Sequence, residues 1–421
     1  MSEASSPSTA QAAPVQGEER LVALDFIRGV AVLGILFANI TAYAHPRLAY
    51  FWPGALPGGG TAADRWIWLF QFVAVDGKFR GIFTLLFGAG LALFVDRQRA
   101  GGGSGGVQLR RLVLLGTFGL AHFYLLFTGD ILFLYAVAGL GALAFIDMEP
   151  RRQAWLGVVW YLVASALLAL PLATPAMVEY FPALAASPAE AQGLAAAWQD
   201  RLAEADAERA VMAGGDLAAI IAYRWHEQSG YLSGYAFLAL LDTIPLMLLG
   251  AALLRLGLFA GEVPRRRIIG WSWAGIVVGA ASALLLGLWV MARGFAPYLT
   301  SFVFNGASAP LRLPMIVGMT ALLALWAPRA ATGWLGERVV AAGRMAFSNY
   351  IGTSLLMALV FQGWAGDLFG RFGRAELLVV VLLGWAVMLR WSRPWLQRFR
   401  YGPLEWLWRC LTYGRWFANR R

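Results

Sequence analysis

The sequence has very few of the residues that build disulfides and metal sites. One cysteine, Cys410, is present among 421 residues, which excludes an intramolecular disulfide, a thiolate metal cage and a Cys-X-X-Cys redox pair. The three histidines, His45, His122 and His226, are widely separated along the chain, which argues against a histidine-rich metal site. We therefore expect no metal cofactor.

Charged side chains are scarce as well. They make up 14% of the residues, against roughly a quarter in an ordinary soluble protein, while 59% of the residues are hydrophobic. Lys78 is the single lysine among 34 basic residues, so the net charge of +10 arises almost entirely from arginines. Most of these arginines lie in the loops between long apolar runs or in the C-terminal tail that follows the last run. The pattern indicates a multi-pass membrane protein and disfavours nucleic acid as a partner.

The apolar runs predict an all-α, polytopic transmembrane bundle. By the rule that about 20 residues cross the hydrocarbon, there are about ten spans. The second run is too long for one straight crossing and is interrupted by Asp76-Gly77-Lys78, which predicts a half-helix over 66–75 and a span from Phe79. The predicted spans lie roughly at 21–43, 66–96, 111–128, 131–148, 154–172, 232–256, 268–292, 313–327, 345–362 and 376–391.

The distribution of arginines predicts five regions and the side on which each lies. Short loops rich in arginine mark the cytoplasmic side, and an even number of spans places both termini there. The expected location is the inner (plasma) membrane of a bacterium. The regions are a disordered cytoplasmic tail (1–19), an N-terminal transmembrane bundle (20–172), an extracytoplasmic segment (173–231), a C-terminal transmembrane bundle (232–392) and a basic, aromatic cytoplasmic tail (393–421).

The first span carries a polar stripe that is a candidate binding surface. Asp25 and Arg28 are three residues apart, so they share a helix face and can pair. Asn39 lies eleven residues beyond Arg28, almost three turns at about 3.6 residues per turn, and returns to the same face. Charges within a span are costly and are therefore functional candidates. An ion pair that only fixes the first helix at the interface is the alternative.

His122 is the candidate general base. It lies eleven residues after Arg111, about 16 Å into the bilayer at 1.5 Å per residue, near the midplane. Imidazole titrates nearest neutrality, which suits proton transfer, whereas a hydrogen bond that aligns two helices is the alternative. Asp130 follows eight residues later and can cap the next helix or accept a proton, but this spacing alone does not make it a neighbour of His122.

Four further polar residues near the ends of spans are candidates for substrate or donor binding. His45 follows the first span at its outer boundary, where it either contacts substrate or is an ordinary interfacial residue. Lys78 adjoins the break in the second span. Arg344 and Asn349 share a helical entrance. A cation there suits an anionic head group or a coenzyme phosphate, or else it anchors the helix at the positive side of the membrane.

Short motifs are spread in order over nearly the whole chain. They are Asp25-Phe26-Ile27-Arg28-Gly29 with Asn39, Lys78-Phe79 with Leu86-Phe87-Gly88, His122 before Gly129-Asp130-Ile131-Leu132, Gly343-Arg344-Met345-Ala346 with Asn349-Tyr350, and Gly402-Pro403-Leu404-Glu405-Trp406. Taken together, these motifs resemble the YeiB-type membrane proteins, domain-of-unknown-function family 418. That family is placed with the transmembrane acyltransferases, which include heparan-α-glucosaminide N-acetyltransferase and the bacterial enzymes that O-acylate surface polysaccharides.

The resemblance implies that an acyl group is transferred from a cytoplasmic acyl-CoA donor, such as acetyl-CoA, to an extracytoplasmic glycan or lipid acceptor. In this scheme His122 deprotonates the acceptor or relays the acyl group covalently. Arg28, Lys78 or Arg344 would hold the donor phosphates or the thioester oxygen.

The chain departs from the acyltransferase pattern at one position. The polysaccharide acyltransferases carry their catalytic histidine on the first helix, eleven residues after the arginine that matches Arg28, and this chain has Asn39 there. An asparagine cannot act as a general base. The heparan enzyme also has asparagine at this point, so the resemblance implies a histidine from elsewhere in the chain, either His122 or His45.

Two other functions stay open at this stage. A transporter or lipid flippase could use the same residues as a midplane polar site, with His122 and Asp130 relaying protons. A non-enzymatic lipid-binding protein is the third alternative. The expected partners are membrane lipids and a small-molecule or glycan substrate, and self-association into a homo-oligomer is a further alternative.

Reporter fusions test the predicted orientation. A reporter at residue 200 should be active outside the cytoplasm and one at the C-terminus inside it, because arginine-rich loops are retained in the cytoplasm. The measurement is the ratio of alkaline-phosphatase activity to green fluorescence at each fusion point. If both fusions report the same side, the ten-span count is wrong.

Overall fold

Helices account for the regular structure of the chain. The computed structural model describes residues 22–101 and 105–421, and no β-strand lies within these ranges. The predicted tail, 1–19, is outside the described residues. The helices are α1 (Val22–Ala44), α2 (Leu48–Phe51), α3 (Ala62–Ala74), α4 (Lys78–Ala100), α5 (Gly106–Leu125), α6 (Leu132–Leu143), α7 (Pro150–Tyr180), α8 (Pro188–Gly214), α9 (Leu217–His226), α10 (Tyr231–Leu238), α11 (Ile244–Arg255), α12 (Arg265–Ala292), α13 (Pro297–Phe302), α14 (Ala309–Ala330), α15 (Gly333–Arg344), α16 (Ala346–Phe361), α17 (Arg374–Arg398) and α18 (Pro403–Tyr413).

The predicted all-α membrane bundle is confirmed. Seven segments of the described chain are long and apolar enough to cross a membrane. Two shorter apolar helices, α6 and α16, and the helix α5 coincide with the other three predicted spans, while the count of ten crossings stays a prediction. The seven segments are Val22–Ala44, Ala62–Ala100, Pro150–Tyr180, Tyr231–Arg255, Arg265–Ala292, Ala309–Ala330 and Arg374–Arg398.

The second span is broken where the sequence predicted it. Helix α3 ends at Ala74, and α4 begins at Lys78 after a turn in which Gly77 has φ +75°. This left-handed conformation favours glycine because it has no Cβ. The buried Lys78 ammonium donates a hydrogen bond of 2.5 Å to the carbonyl of Phe72 in the last turn of α3. The cation thereby satisfies a carbonyl that the helix end leaves without an intrahelical partner.

Helix α1 is the central helix of the bundle. In its most apolar stretch 78% of the residues are buried, compared with 22% in α7 and in α12, which therefore lie at the periphery. It packs against α4, α14, α15, α16 and α17. The closest crossing is with α15, where a Cβ at Gly343 would lie 1.8 Å from the backbone oxygen of Asp25 and one at Gly29 would lie 2.0 Å from that of Val339. Glycines on both helices let the two backbones touch.

The segments outside the apolar spans are also folded. Helix α7 continues past residue 172 to Tyr180, and the polar stretch that follows forms α8. Trp198 and Ala205 of α8 join the same buried cluster as Leu48 and Ala49 of α2. At the C-terminus, the backbone N–H of Arg400 donates to the backbone oxygen of Asn419 over 2.8 Å, so the end of the chain folds back on α17.

The crossing of α1 with α15 yields a stability prediction. Gly343→Ala places a methyl group far inside van der Waals contact with the Asp25 carbonyl, and overpacking of this kind costs about 1–3 kcal/mol. We expect a lower melting temperature for the detergent-purified variant. The matched control is Gly352→Ala on α16, where an added Cβ meets no atom within 4 Å. That control should melt at the wild-type temperature or slightly above it, because alanine favours a helix. Equal melting of the two variants would contradict the crossing.

Candidate functional site

The turn between α5 and α6 brings His122 and Asp130 together. His122 lies in the last turn of α5, and the chain then reverses through Gly129 before α6 begins. A Cβ at Gly119 would lie 2.3 Å from the backbone nitrogen of Phe133, so the absence of a side chain there lets α6 approach α5 closely. In this arrangement His122 Nδ1 and Asp130 Oδ1 are 2.8 Å apart. The chain reversal, which spacing alone could not indicate, makes them partners.

Asp130 also caps α6. Its Oδ2 accepts a hydrogen bond of 2.6 Å from the backbone N–H of Phe133, in the first turn of the helix. The sequence left two roles open for this carboxylate, as a helix cap or as a group that takes part in proton transfer. Oδ2 caps the helix, whereas Oδ1 contacts His122. The cap holds the carboxylate in place, which in turn orients the imidazole ring.

Ser354 on α16 is the third member of this group, and the sequence analysis missed it. Its Oγ lies 2.8 Å from His122 Nε2 and 2.8 Å from the hydroxyl of Tyr43. A signal was available, because Asn349 and Ser354 are polar residues five apart in an apolar helix. That signal does not indicate which of the other helices each of these side chains meets.

The four side chains form one buried chain of hydrogen bonds. Asp130, His122 and Ser354 are 2%, 2% and 0% exposed, so water cannot satisfy them and protein partners have to. An ionised Asp130 only accepts, which assigns the proton on Nδ1 to His122. In a neutral imidazole Nε2 then accepts, so Ser354 donates to His122 and the Tyr43 hydroxyl donates to Ser354.

A cavity of about 1060 Å³ approaches this group from the side predicted to be cytoplasmic. Residues of α1, α4, α5, α6, α15 and α16 and of the segment 400–421 form its wall. The part within the bundle is lined by apolar side chains such as Phe87, Leu112 and Leu132. Ile131, which follows Asp130, and Tyr350, one turn before Ser354, also line it.

Arginines surround the part of the cavity nearest the helix ends. Within the described part of the chain, eight arginines and two acidic side chains, Asp25 and Glu405, line the cavity. Such an excess of guanidinium groups attracts anions and matches the geometry of phosphate and carboxylate groups. The arginines are Arg28, Arg97, Arg111, Arg344, Arg400, Arg409, Arg415 and Arg421.

The C-terminal segment holds the start of α16. Glu405 Oε1 accepts hydrogen bonds from the backbone N–H groups of Phe347, at 2.8 Å, and Ser348, at 3.1 Å. Its Oε2 accepts one of 2.5 Å from the Ser348 hydroxyl. Burial raises the pKa of Glu405, and the hydrogen bonds from Ser348 oppose this shift. The basic, aromatic tail therefore positions the helix that carries Tyr350 and Ser354.

The other predicted site residues divide into two groups. Asp25 and Arg28 line the cavity, and Arg28 Nη1 donates a hydrogen bond of 3.0 Å to Asp25 Oδ1. Arg344 also lines the cavity, and its Nη2 donates to the Arg400 backbone oxygen at 3.4 Å. Asn39 is half-buried on α1 and lies outside the cavity wall, one turn before Tyr43. Tyr43 thus extends the predicted polar stripe to Ser354.

Lys78 and Asn349 form hydrogen bonds that connect neighbouring helices. Lys78 closes the end of α3, as described above. The Asn349 amide nitrogen donates to the Ala342 backbone oxygen at 3.0 Å and to the Ser392 hydroxyl at 3.1 Å. Its Oδ1 accepts a hydrogen bond of 2.8 Å from the Trp391 indole. These contacts join α15, α16 and α17, and neither Lys78 nor Asn349 lines the cavity.

His45 is separated from the His122 group. It is fully buried after the end of α1, and its Nε2–H donates a hydrogen bond of 2.7 Å to the backbone oxygen of Phe372. Burial lowers the pKa of His45 to about 4, the hydrogen bond to Phe372 raises it, and nearby Arg374 lowers it further. A histidine with this pKa is a weak proton acceptor near neutral pH, so His122 is the better candidate for a general base.

The burial of His45 predicts a pH dependence of stability. Its pKa falls from 6.5 in the unfolded chain to about 4 in the fold, so the unfolded state binds more protons between these values. The lowered pKa of His45 contributes on the order of 3 kcal/mol to the free energy of unfolding. This contribution is complete above pH 6.5 and is lost as the pH falls toward 4. Melting temperatures in detergent should therefore decline less steeply from pH 7.5 to 4.5 in His45→Gln than in the wild type. Parallel curves would count against this assignment.

Comparison with known proteins gives the family. A family model described as "Protein of unknown function (DUF418)" matches residues 253–415. The "Uncharacterized protein YeiB" of Escherichia coli (strain K12) is 33% identical, over 94% of this chain and 96% of its own length. The "Uncharacterized protein YxaH" of Bacillus subtilis (strain 168) is 27% identical, over 96% of each chain. No solved structure matches this chain. The full-length match to the Escherichia coli protein confirms the resemblance seen in the motifs, and the chain belongs to the DUF418 family of YeiB-like membrane proteins.

Proposed function

We propose that the protein is a membrane acyltransferase that moves an acyl group from a cytoplasmic acyl-CoA donor to a glycan or lipid acceptor on the other side of the membrane. The observation that supports this most is that His122, paired with Asp130, packs against Tyr350 in the wall of an arginine-lined cavity. The cavity offers a place for the donor, and the pair offers a base beside its wall.

The cavity suits the chemistry of an acyl-CoA. The coenzyme carries several phosphate groups at one end and a thioester on a long, slender arm at the other. Arginines such as Arg97, Arg344 and Arg415 would bind the phosphates. The apolar part within the bundle would take the arm and bring the thioester toward Tyr350. At about 1060 Å³ the cavity is slightly larger than the usual range for small-molecule sites, about 300–1,000 Å³, as a large ligand requires.

The His122–Asp130 pair suits proton transfer to and from an acceptor. Asp130 accepts the Nδ1 proton, which leaves Nε2 as the basic atom. When Nε2 takes a proton, the adjacent carboxylate stabilises the resulting imidazolium. The surrounding helices exclude water, which strengthens these interactions.

Vesicle assays test this proposal. Inside-out membrane vesicles from cells that produce the protein are given labelled acetyl-CoA, and label is followed into the lipid and glycan fractions. His122→Ala should lower the rate by about 10²–10⁴, the usual contribution of a general base. Its binding of acetyl-CoA should persist, because His122 does not line the cavity.

The control is His226→Ala, which removes an exposed histidine at the end of α9. This variant should transfer label at the wild-type rate. Normal transfer by His122→Ala, or transfer that does not require the protein at all, would refute the proposal.

A further inference from the structure

We infer that Ser354 is a nucleophilic catalytic residue that carries the acyl group as a covalent ester between donor and acceptor. The inference rests on the proposed function and deepens it, because it divides the transfer into two steps. It derives from the order of contacts Asp130 Oδ1 to His122 Nδ1, 2.8 Å, and His122 Nε2 to Ser354 Oγ, 2.8 Å.

This order of contacts is the arrangement that activates a serine. The carboxylate fixes the imidazole tautomer, and the other ring nitrogen faces the hydroxyl whose proton it removes. The proton assignment above has Ser354 donating to Nε2. The hydrogen bond between Tyr43 and Ser354 uses the proton of the Tyr43 hydroxyl. The Ser354 proton is therefore available to His122 Nε2.

Another buried serine shows what a purely structural hydroxyl does in this bundle. Ser165 on α7 donates a hydrogen bond of 2.7 Å to the backbone oxygen of Tyr161, four residues earlier. Ser354 has the same local acceptor, the Tyr350 backbone oxygen, but at 3.2 Å, and it has His122 and Tyr43 at 2.8 Å besides. A serine that only satisfied its own hydroxyl would not require an imidazole held by a carboxylate.

The cavity wall includes a residue one helical turn from Ser354. Tyr350 lines the cavity one helical turn before Ser354, and its ring centroid is 5.0 Å from that of His122. The Tyr350 hydroxyl is held by two long hydrogen bonds, donating to the Gly129 oxygen at 3.3 Å and accepting from the Ile131 nitrogen at 3.2 Å. Ser354 itself is buried and does not line the cavity, so the inference requires that Tyr350 turn aside to admit the thioester.

The two steps balance in atoms and electrons. In the first, Ser354 loses its proton to His122 Nε2 as Oγ attacks the thioester carbon. The carbon–sulfur bond breaks, and the thiolate takes the proton from His122. In the second, an acceptor hydroxyl or amine gives its proton to His122 and attacks the ester carbon. The bond from that carbon to Oγ breaks, and Ser354 regains the proton. No oxidant or reductant is involved.

Tyr43 is placed to assist both steps. Its hydroxyl lies 2.8 Å from Oγ, the atom that attacks the acyl carbon. As Oγ bonds to the acyl carbon it becomes a weaker acceptor, and the Tyr43 proton can turn toward the oxyanion of the tetrahedral intermediate. A covalent carrier also fits the position of the site, because coenzyme and acceptor then need not occupy the hydrocarbon region together.

Acid trapping tests the inference. Purified wild type, Ser354→Ala and Ser165→Ala are incubated with labelled acetyl-CoA without acceptor and denatured in acid, and the protein-bound label is counted. We expect label on the wild type and on Ser165→Ala, and its loss in Ser354→Ala. Mass spectrometry should place one acetyl group on the peptide that contains Ser354.

Ser354→Cys gives an independent result if the alanine variant does not fold. Its label should be a thioester, which neutral hydroxylamine releases, whereas the wild-type oxygen ester should require alkaline hydroxylamine. Label in Ser354→Ala equal to the wild type, or continued transfer by Ser354→Ala in the vesicle assay, would overturn the role of Ser354 and leave the proposed function standing. Absence of both trapped label and vesicle transfer in the wild type would overturn the two together.

Discussion

A polar group buried in the middle of a membrane bundle must form its hydrogen bonds with other groups of the protein. The arrangement of the whole structure depends on this constraint. Asp130 divides its two oxygens between the first turn of α6 and His122. Lys78 closes the end of α3 at the break in the second span. Arg374 starts α17 and donates to the backbone oxygen of Ala49 at 2.9 Å. Each contact satisfies a group that lipid could not, and each also fixes where two elements meet.

The same constraint explains why the cavity and the buried hydrogen-bonded group lie side by side. Helix α16 contributes to both, with Tyr350 on the cavity wall and Ser354 beside His122. Its first turn is held by Glu405 from the C-terminal segment, which itself forms part of the arginine-rich wall. A ligand in the cavity would therefore touch the residues that position the helix carrying the proposed nucleophile.

The first helix contributes polar side chains both to the cavity wall and to the buried group around Ser354. Asp25 and Arg28 face the cavity, as their shared helical face allows. Asn39 lies eleven residues after Arg28, and Tyr43 lies one turn further along α1. Tyr43 reaches Ser354 on α16. The imidazole that contacts Ser354 lies on α5, so the polar group is assembled from three helices.

The sequence by itself determined the helical class, the approximate limits of the apolar segments and the break at Asp76-Gly77-Lys78, because hydropathy and glycine conformation are local properties. It also indicated His122 as a candidate functional residue, because this residue lies within an apolar span. Only the tertiary structure decided that Asp130 turns back to His122, that Ser354 joins them from 232 positions away, and that His45 belongs to another region. The physical reason is that a hydrogen bond between distant residues depends on how whole helices pack and turn, and no local pattern carries that information.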